Sequence, residues 1–428
     1  MKLITKKSRL KGSVRIPGSK SHTIRAVCIA SLAEGKSIIH SPLVSNDTAS
    51  VVECYRAMGA KIDTSDDKKW LIEGTAGQIH QPEEQIDVGN SGTTLRLAVG
   101  SAALTEKDAK TRFTGDNQIC ARPIAPLLEA LNRLGADTMS VKSNGNPPVE
   151  ISGKLTGGKT SIEAVTSQYL SSLLLCCPLA EDDTEISVGV LNEPGYVQMT
   201  LDWLDNQQIV YKNEDFKEFH IKGSQKYRGF ECRIPSDFSS ATFFLCAAAL
   251  VGDEVVLEGL DFEDSQPDKA VIDYLLKMGA DIKSSGDSVV VKASRLKGCD
   301  IDMNQTPDAL PAMAVTAAFA EGTTKLFNVA QARSKETDRI DCMAKEMGKM
   351  GIETEQLPDG LIIHPGKIEN GKVHGWSDHR IVMALSIAGL ASDIPIEVDT
   401  AEAMDITFPT YPSLMGKLGA NMEKSEKG

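Results

Sequence analysis

A period of about seventy residues, repeated six times, most narrows what this chain can fold into, because a self-similar chain builds its fold by stacking one unit. In each copy a short polar cluster opens an Ala/Leu/Ser-rich helical stretch. The clusters fall at Lys20, Asn90, Ser167, Asp237, Asp308 and Asp378, spaced by 70, 77, 70, 71 and 70 residues. A second helix usually ends in a hydrophobic-Gly-hydrophobic stop: Met58-Gly59-Ala60, Leu134-Gly135-Ala136, Met278-Gly279-Ala280, Met350-Gly351-Ile352 and Leu418-Gly419-Ala420. Glycine there can take the left-handed conformation that closes a helix. The third copy has Leu204-Asp205-Asn206 instead, with Asn expected in the capping role. After most stops come two short alternating or β-branched strands, such as 280–283 and 288–291, bounded by turn residues. Each copy reads as strand, helix, strand, helix and two strands. The pattern predicts an α/β (α+β) chain of two domains, three βαβαββ copies in each, with every sheet covered by helices.

Composition agrees and sets limits. A chain of 428 residues, 41% hydrophobic and 25% charged, buries two good cores. Its longest apolar runs, 173–180 and 243–251, are too short to span a membrane, and the basic stretch 1–12 lacks the apolar centre of a signal peptide. Nine cysteines without a C-x-x-C pair, and seven histidines without ligand spacing, point to the reducing cytoplasm and to no metal site. A formal net charge of -13 argues against nucleic acid or an anionic membrane as partner. It leaves room for a small anionic substrate wherever cations concentrate. Nothing requires more than a monomer, and the polar tail 424–428 is expected to fray.

The cations do concentrate, at helix starts. Gly18-Ser19-Lys20-Ser21-His22-Thr23-Ile24-Arg25 joins small residues and free amide donors to two positive charges, which suits phosphate or carboxylate. In Gly89-Asn90-Ser91-Gly92-Thr93-Thr94-Leu95-Arg96 two glycines allow close approach of a ligand. Ala121-Arg122-Pro123-Ile124 fixes a helix entry with proline. Thr166-Ser167-Gln168 offers hydroxyls and an amide, either to cap a helix or to bind ligand oxygens. Further on come Pro307-Asp308, the charge-dense Arg333-Ser334-Lys335-Glu336-Thr337-Asp338-Arg339, and Ser377-Asp378-His379-Arg380. Taken singly, each is also what an ordinary cap or solvated ion pair looks like.

Their joint placement decides, because equivalent positions of a repeat fall at equivalent places in space. The helix starts of the two domains are expected to face one another across a cleft, gathering Lys20, Arg25, Arg122, Lys335, Arg339 and Arg380. A polyanionic small substrate fits such a place. The carboxylates there, Asp308 and Glu336, become candidates for proton transfer.

These motifs, with Thr407-Phe408-Pro409, resemble in order and spacing the 5-enolpyruvylshikimate-3-phosphate synthases, from about residue 8 to residue 420. The resemblance implies a transferase joining the enolpyruvyl group of phosphoenolpyruvate to the 5-hydroxyl of shikimate 3-phosphate, with release of phosphate. It implies two domains of inside-out α/β barrel form, hinged about a central cleft and closing like jaws: residues 19–230, and residues 1–18 plus 231–428. Matched motif by motif, Lys20, Ser21, Arg25, Thr166, Ser167, Gln168, Tyr196, Asp308, Gln331 and Lys335 correspond to shikimate 3-phosphate contacts. Lys20, Asn90, Gly92, Arg122, Gln168, Arg339 and Arg380 correspond to phosphoenolpyruvate contacts. Asp308, Glu336 and Lys20 take the acid/base roles, and neither metal nor organic cofactor is implied.

Three departures stand out. Ile406 replaces a lysine common before Thr-Phe-Pro, Leu97 replaces a proline, and Asn192-Glu193-Pro194-Gly195-Tyr196 stands where the family has Ser-Lys-Pro-Tyr. Since Leu97 lies beside the place where glyphosate mimics phosphoenolpyruvate, altered sensitivity to that inhibitor is expected. The related UDP-N-acetylglucosamine enolpyruvyltransferases carry a reactive cysteine five positions before the arginine of the Ala-Arg-Pro motif, where this chain has Asn117. A non-catalytic anion-binding repeat protein would lack the proton-transfer set that Lys20, Asp308 and Glu336 supply.

Overall fold

The computed structural model describes residues 1–426. The chain divides into two compact units, Gly18–Ile234 and Met1–Pro17 with the stretch from Pro235 onward, so it passes between them after Pro17 and after Ile234.

Each unit holds three four-stranded sheets of one topology. In one copy, strand Ile86–Asp87 runs parallel to Lys110–Thr114, which pairs antiparallel with Val149–Ser152, and Asp137–Ser140 forms the far edge. The parallel step requires a crossover, which the helix Gly92–Ala102 supplies. Strands bury every second residue: Lys110–Thr114 buries Thr111 and Phe113 and exposes Lys110 and Arg112, as expected of a sheet with one face in water.

The repeat closes by borrowing strands. Lys2–Lys6 lies inside its sheet, with Leu3 opposite Val398 on one side and Lys424 on the other. Leu10–Arg15 pairs parallel with Gly252–Glu258, while Glu231–Arg233 supplies the strand beside Lys36–His40. Lys424 and Ser425, expected to fray, are thus paired in a ladder; residues 427 and 428 of that tail lie outside the described residues.

Six leading helices make the interior. They are Lys20–Leu32, Gly92–Ala102 and Ser167–Cys176 in one unit, and Phe238–Val251, Leu310–Ala318 and His379–Ala391 in the other. Each is buried on nearly all faces; Phe238 to Ala249 is buried without a break. A helix apolar all round has its place inside a core. Gly92–Ala102 packs on both of its companions, and the three helices of the other unit all touch. The second helices carry only one apolar stripe: Ala125–Arg133 buries Leu127, Leu128, Ala130 and Leu131.

The glycine stops behave as the sequence implies, with Gly59, Gly135, Gly279, Gly351 and Gly419 at φ between 89° and 106°. The third copy differs. Its helix continues through Asn206, and the left-handed residue is Gln208 at φ 57°. Gln208 N–H donates to Asp205 and Ile209 N–H to Leu204, the pattern that Gly59 and Ala60 make with Arg56 and Tyr55. Without glycine the same cap forms two residues later, at a cost of roughly 1 kcal/mol for a side chain held left-handed.

Gly389, on the inner helix His379–Ala391, marks a close approach to strand Lys2–Lys6: a Cβ there would lie 2.8 Å from the Thr5 Cβ. Gly389→Ala is expected to lower stability by about 1–3 kcal/mol, read as a lower midpoint in chemical denaturation. Gly416→Ala, where an added Cβ meets nothing within 4 Å, is the matched control and leaves the midpoint unchanged or higher.

Candidate functional site

In the unit Gly18–Ile234 the polar residues gather at the starts of the three inner helices. Ser19 caps the first, its side chain accepting His22 N–H at 3.4 Å. One residue on, Lys20 Nζ lies 3.0 Å from Asp47 Oδ2. Asp47 sits in the first turn of the helix Asn46–Ala57, which Ser45 and Thr48 start with a reciprocal capping box.

Arg25, one turn further in, is 2% exposed. Its guanidinium donates to Thr200 Oγ1 at 2.9 Å, to the carbonyls of Tyr196 at 2.9 Å and Ser21 at 3.0 Å, and to Ser171 Oγ at 3.4 Å. All four are neutral oxygens. Burial pulls the guanidinium down to about 10, the response of a cation that lacks a counter-charge. Such a group favours the arrival of an anion.

At the second start, a Cβ on Gly92 would collide with Arg96 Nη1 and lie 2.6 Å from Arg122 Nη1. Glycine therefore makes the room in which two arginines converge. Arg122 is held by the short helix Asn117–Ala121 that it terminates. The carbonyl of Pro123 accepts the Tyr169 hydroxyl at 2.5 Å and Arg96 at 3.4 Å, tying that turn to the inner helices. Asn90 donates to Asp116 at 2.7 Å and Gln118 at 2.6 Å. Gln168 reaches Thr93 at 3.1 Å, so the second and third starts are joined. Thr166, expected as a cap, makes no side-chain capping bond. Glu193 caps that helix instead, from 26 residues downstream: its Oε2 accepts the Ser167 hydroxyl at 2.7 Å and the Ser167 N–H at 3.3 Å.

The other unit centres on Arg339, 0% exposed. Its Nε lies 2.8 Å from Asp378 Oδ2 and its Nη1 2.7 Å from Asp308 Oδ1, while Nη2 bonds Glu336. Arg380 Nη2 approaches Asp308 Oδ2 at 2.9 Å. Burial alone would raise the Asp308 carboxyl, but Arg380, Lys335 and Arg339 outweigh it and hold the group well below the usual carboxylate range. Arg339, which burial would lower, is raised by Asp378, Glu336 and Asp308. Asp308 lies in a single 3-10 turn, Pro307–Ala309, that leads into Leu310–Ala318. Gln331 is buried and donates to the Asn304 carbonyl at 2.8 Å. Ile406, where a lysine was expected, packs against the core.

The sequence reading named Lys20, Ser21, Arg25, Asn90, Gly92, Arg122, Thr166, Ser167, Gln168 and Tyr196 in the first unit. The structure links Ser21, Arg25 and Tyr196 directly, and draws Arg122 to Gly92. In the second unit Asp308, Glu336, Arg339 and Arg380 form one cluster, with Lys335 near enough to act on Asp308. Four supporting residues were missed: Asp47, Arg96, Glu193 and Asp378 in its role as the partner of Arg339. Arg96 closes a motif already singled out, and the departure at Glu193 was visible; Asp47 and Asp378 carried only capping signals. The strand pair Tyr211–Glu214 and Glu218–Ile221 also brings Glu214, Glu218 and His220 within 4.8 Å, on an outer edge and largely exposed.

A family model described as EPSP synthase (3-phosphoshikimate 1-carboxyvinyltransferase) matches residues 4–415. Over 426 residues the chain is 53% identical to a 3-phosphoshikimate 1-carboxyvinyltransferase of Acetivibrio thermocellus, covering 100% of both. It is 50% identical to one of Ruminiclostridium cellulolyticum over 423 residues, 99% of this chain and 100% of that one. Among solved structures, an EPSP synthase from Acinetobacter baumannii matches with a TM-score of 0.82 at 28% identity, over 99% of this chain and 100% of the other.

The depressed Asp308 carboxyl predicts a pH signature. A carboxylate whose folded value lies below its unfolded one adds stability above the ordinary range near pH 4 and loses it as pH falls through and below that range. Asp308→Asn is therefore expected to lower the thermal midpoint more at pH 7 than at pH 3. Equal losses at the two values would show that the ion pairs contribute nothing.

Proposed function

This chain belongs to the EPSP synthase family, and from that premise we propose how its residues carry the family reaction. The chain transfers the enolpyruvyl (1-carboxyvinyl) group of phosphoenolpyruvate to the 5-hydroxyl of shikimate 3-phosphate and releases phosphate, a step of the shikimate pathway to aromatic amino acids. The observation that carries the assignment of the anion-binding half is Arg25, a buried guanidinium with only neutral partners. A phosphate or carboxylate nearby supplies the charge it lacks.

Lys20, Ser21, Arg25, Thr166, Ser167, Gln168 and Tyr196 hold shikimate 3-phosphate, together with Asp308, Gln331 and Lys335 of the other unit. Lys20, Asn90, Gly92, Arg122, Gln168, Arg339 and Arg380 hold phosphoenolpyruvate. Arg96, beside Gly92 and Arg122, adds a cation to that set.

The 5-hydroxyl must lose a proton as its oxygen attacks C2 of the enol, while C3 gains one. The tetrahedral intermediate then expels phosphate and C3 gives its proton back. Asp308 serves the hydroxyl; Lys20 and Glu336 serve C3. Before substrate arrives, Asp308 is bound by Arg380 and Arg339 and is a weak base. A phosphoenolpyruvate carboxylate competing for Arg380 relieves Asp308 of part of its counter-charge and raises its basicity as the reactants assemble, while Arg339 stays paired with it. Lys20 is likewise bound to Asp47 and is shared with the incoming anion. The narrower expectations are a cytoplasmic monomer with no nucleic-acid or membrane partner; the formal net charge of -13 supports the exclusion of nucleic acid and of an anionic membrane.

A coupled phosphate-release assay tests the reading: shikimate 3-phosphate and phosphoenolpyruvate together release phosphate, and neither does alone. No release with both would leave only an anion-binding protein. Asp308→Ala and Glu336→Ala are expected to cut kcat by about 10²–10⁴-fold with smaller changes in KM. Arg122→Ala raises the KM for phosphoenolpyruvate by about tenfold or more; an unchanged KM removes Arg122 from that site.

A further inference from the structure

Both hydrogen-bond donors of Ser167 are already taken by a carboxylate of the chain itself. The hydroxyl and the amide converge on one oxygen, Glu193 Oε2, at 2.7 and 3.3 Å. Glu193 is 2% exposed, so this is no surface ion drifting past. Its backbone stands at φ 57°, ψ 49°, in the left-handed region that a residue with a side chain holds only where its surroundings compel it.

An oxygen cradled by a helix-start amide and the adjacent hydroxyl is how a phosphate oxygen is seated at a helix N-terminus. The helix Ser167–Cys176 has ten residues, and its N-cap Thr166 makes no side-chain capping bond, leaving the seat to an anion. A hydroxyl has one proton to give. While Glu193 takes it, Ser167 has none to offer a fully ionised phosphate.

We propose that Glu193 is an internal stand-in for the 3-phosphate of shikimate 3-phosphate. It occupies the anion seat at Ser167 in the free protein, must be expelled when substrate binds, and so sets how tightly the phosphate is held. This rests on the reading of Ser167 as a shikimate 3-phosphate contact. Two anions do not share one pair of donors, and the like-charge contact is costly. Expulsion also moves the turn that begins the helix Pro194–Asn206, whose Tyr196 carbonyl is bonded to Arg25. Glu193 is thereby a specificity-determining residue that acts on the phosphate and not on the ring.

Calorimetric titration of the full chain tests this, with shikimate 3-phosphate and with shikimate as ligands, on wild type, Glu193→Gln and Glu193→Ser. Both variants are expected to bind shikimate 3-phosphate about tenfold more tightly, while the affinity for shikimate, which has no phosphate, changes less than twofold. Equal or weaker binding of shikimate 3-phosphate, or an equal gain for shikimate, overturns the proposal. Should either variant fail to fold, a crystal structure of the wild-type complex decides: with shikimate 3-phosphate bound, the Ser167–Glu193 bonds are broken, and their persistence refutes the idea. The phosphate-release assay on the same wild-type sample separates the two readings. No turnover defeats the family reaction in this chain, whereas turnover without a phosphate-specific gain in the variants defeats only the role of Glu193.

Discussion

A guanidinium with no access to water is the constraint on which the second unit depends. Arg339 is fully buried and meets Asp378, Asp308 and Glu336 at once. Taking these charges out of water costs several kcal/mol for each ion, and only close, complete pairing compensates. Removing one member therefore leaves a buried charge unanswered. Arginine suits the task because its planar fork offers five donors in fixed directions, and Arg339 uses them in four bonds to the three carboxylates, one more than the three donors of a lysine could make. The cluster spans residues 308 to 378, so two helix starts and the turn between them are fixed by one side chain.

The groups assigned to bind substrate are held ready by protein partners of graded strength. Lys20 has a carboxylate at 3.0 Å, Arg25 only neutral oxygens, and Arg380 a carboxylate already claimed by Arg339 as well. An incoming anion displaces a shared partner at less cost than an exclusive one, because the displaced carboxylate keeps a second cation. Asp308 stays neutralised by Arg339 whatever becomes of Arg380. That arrangement lets substrate charge alter the basicity of Asp308 without stranding it.

How much of this could be read in the sequence follows from distance along the chain. The period, the glycine stops and the motif residues are local signals, and each was legible. The stop of the third copy was misplaced by two residues because Gln208 gives no composition cue for the left-handed region. Contacts between distant segments were silent: Glu193 caps a helix 26 residues upstream, and Asp378 holds an arginine 39 residues away. The strand Lys2–Lys6 precedes the first polar cluster, so nothing in the repeat announced that it completes the last sheet.

The six helix starts, alike in the period, differ in how their orphan amides are answered, and this divides the chemistry between the units. In Gly18–Ile234 the N-cap residues are Ser19, Ser91 and Thr166, all uncharged, and the last two make no side-chain cap. Amides and helix dipole there remain open to an external anion, or to Glu193 in its place. In the other unit Asp237 and Asp378 cap their helices by accepting amides two residues on, and Asp308 lies in the 3-10 turn that leads into Leu310–Ala318. The amides of those starts are answered from within, so an anion there relies on side-chain cations and not on the helix ends. What these starts present instead is carboxylates paired with arginines, the set to which proton transfer is assigned. Six starts alike in the period thus differ in the charge that answers their amides, and the residue at the cap decides which.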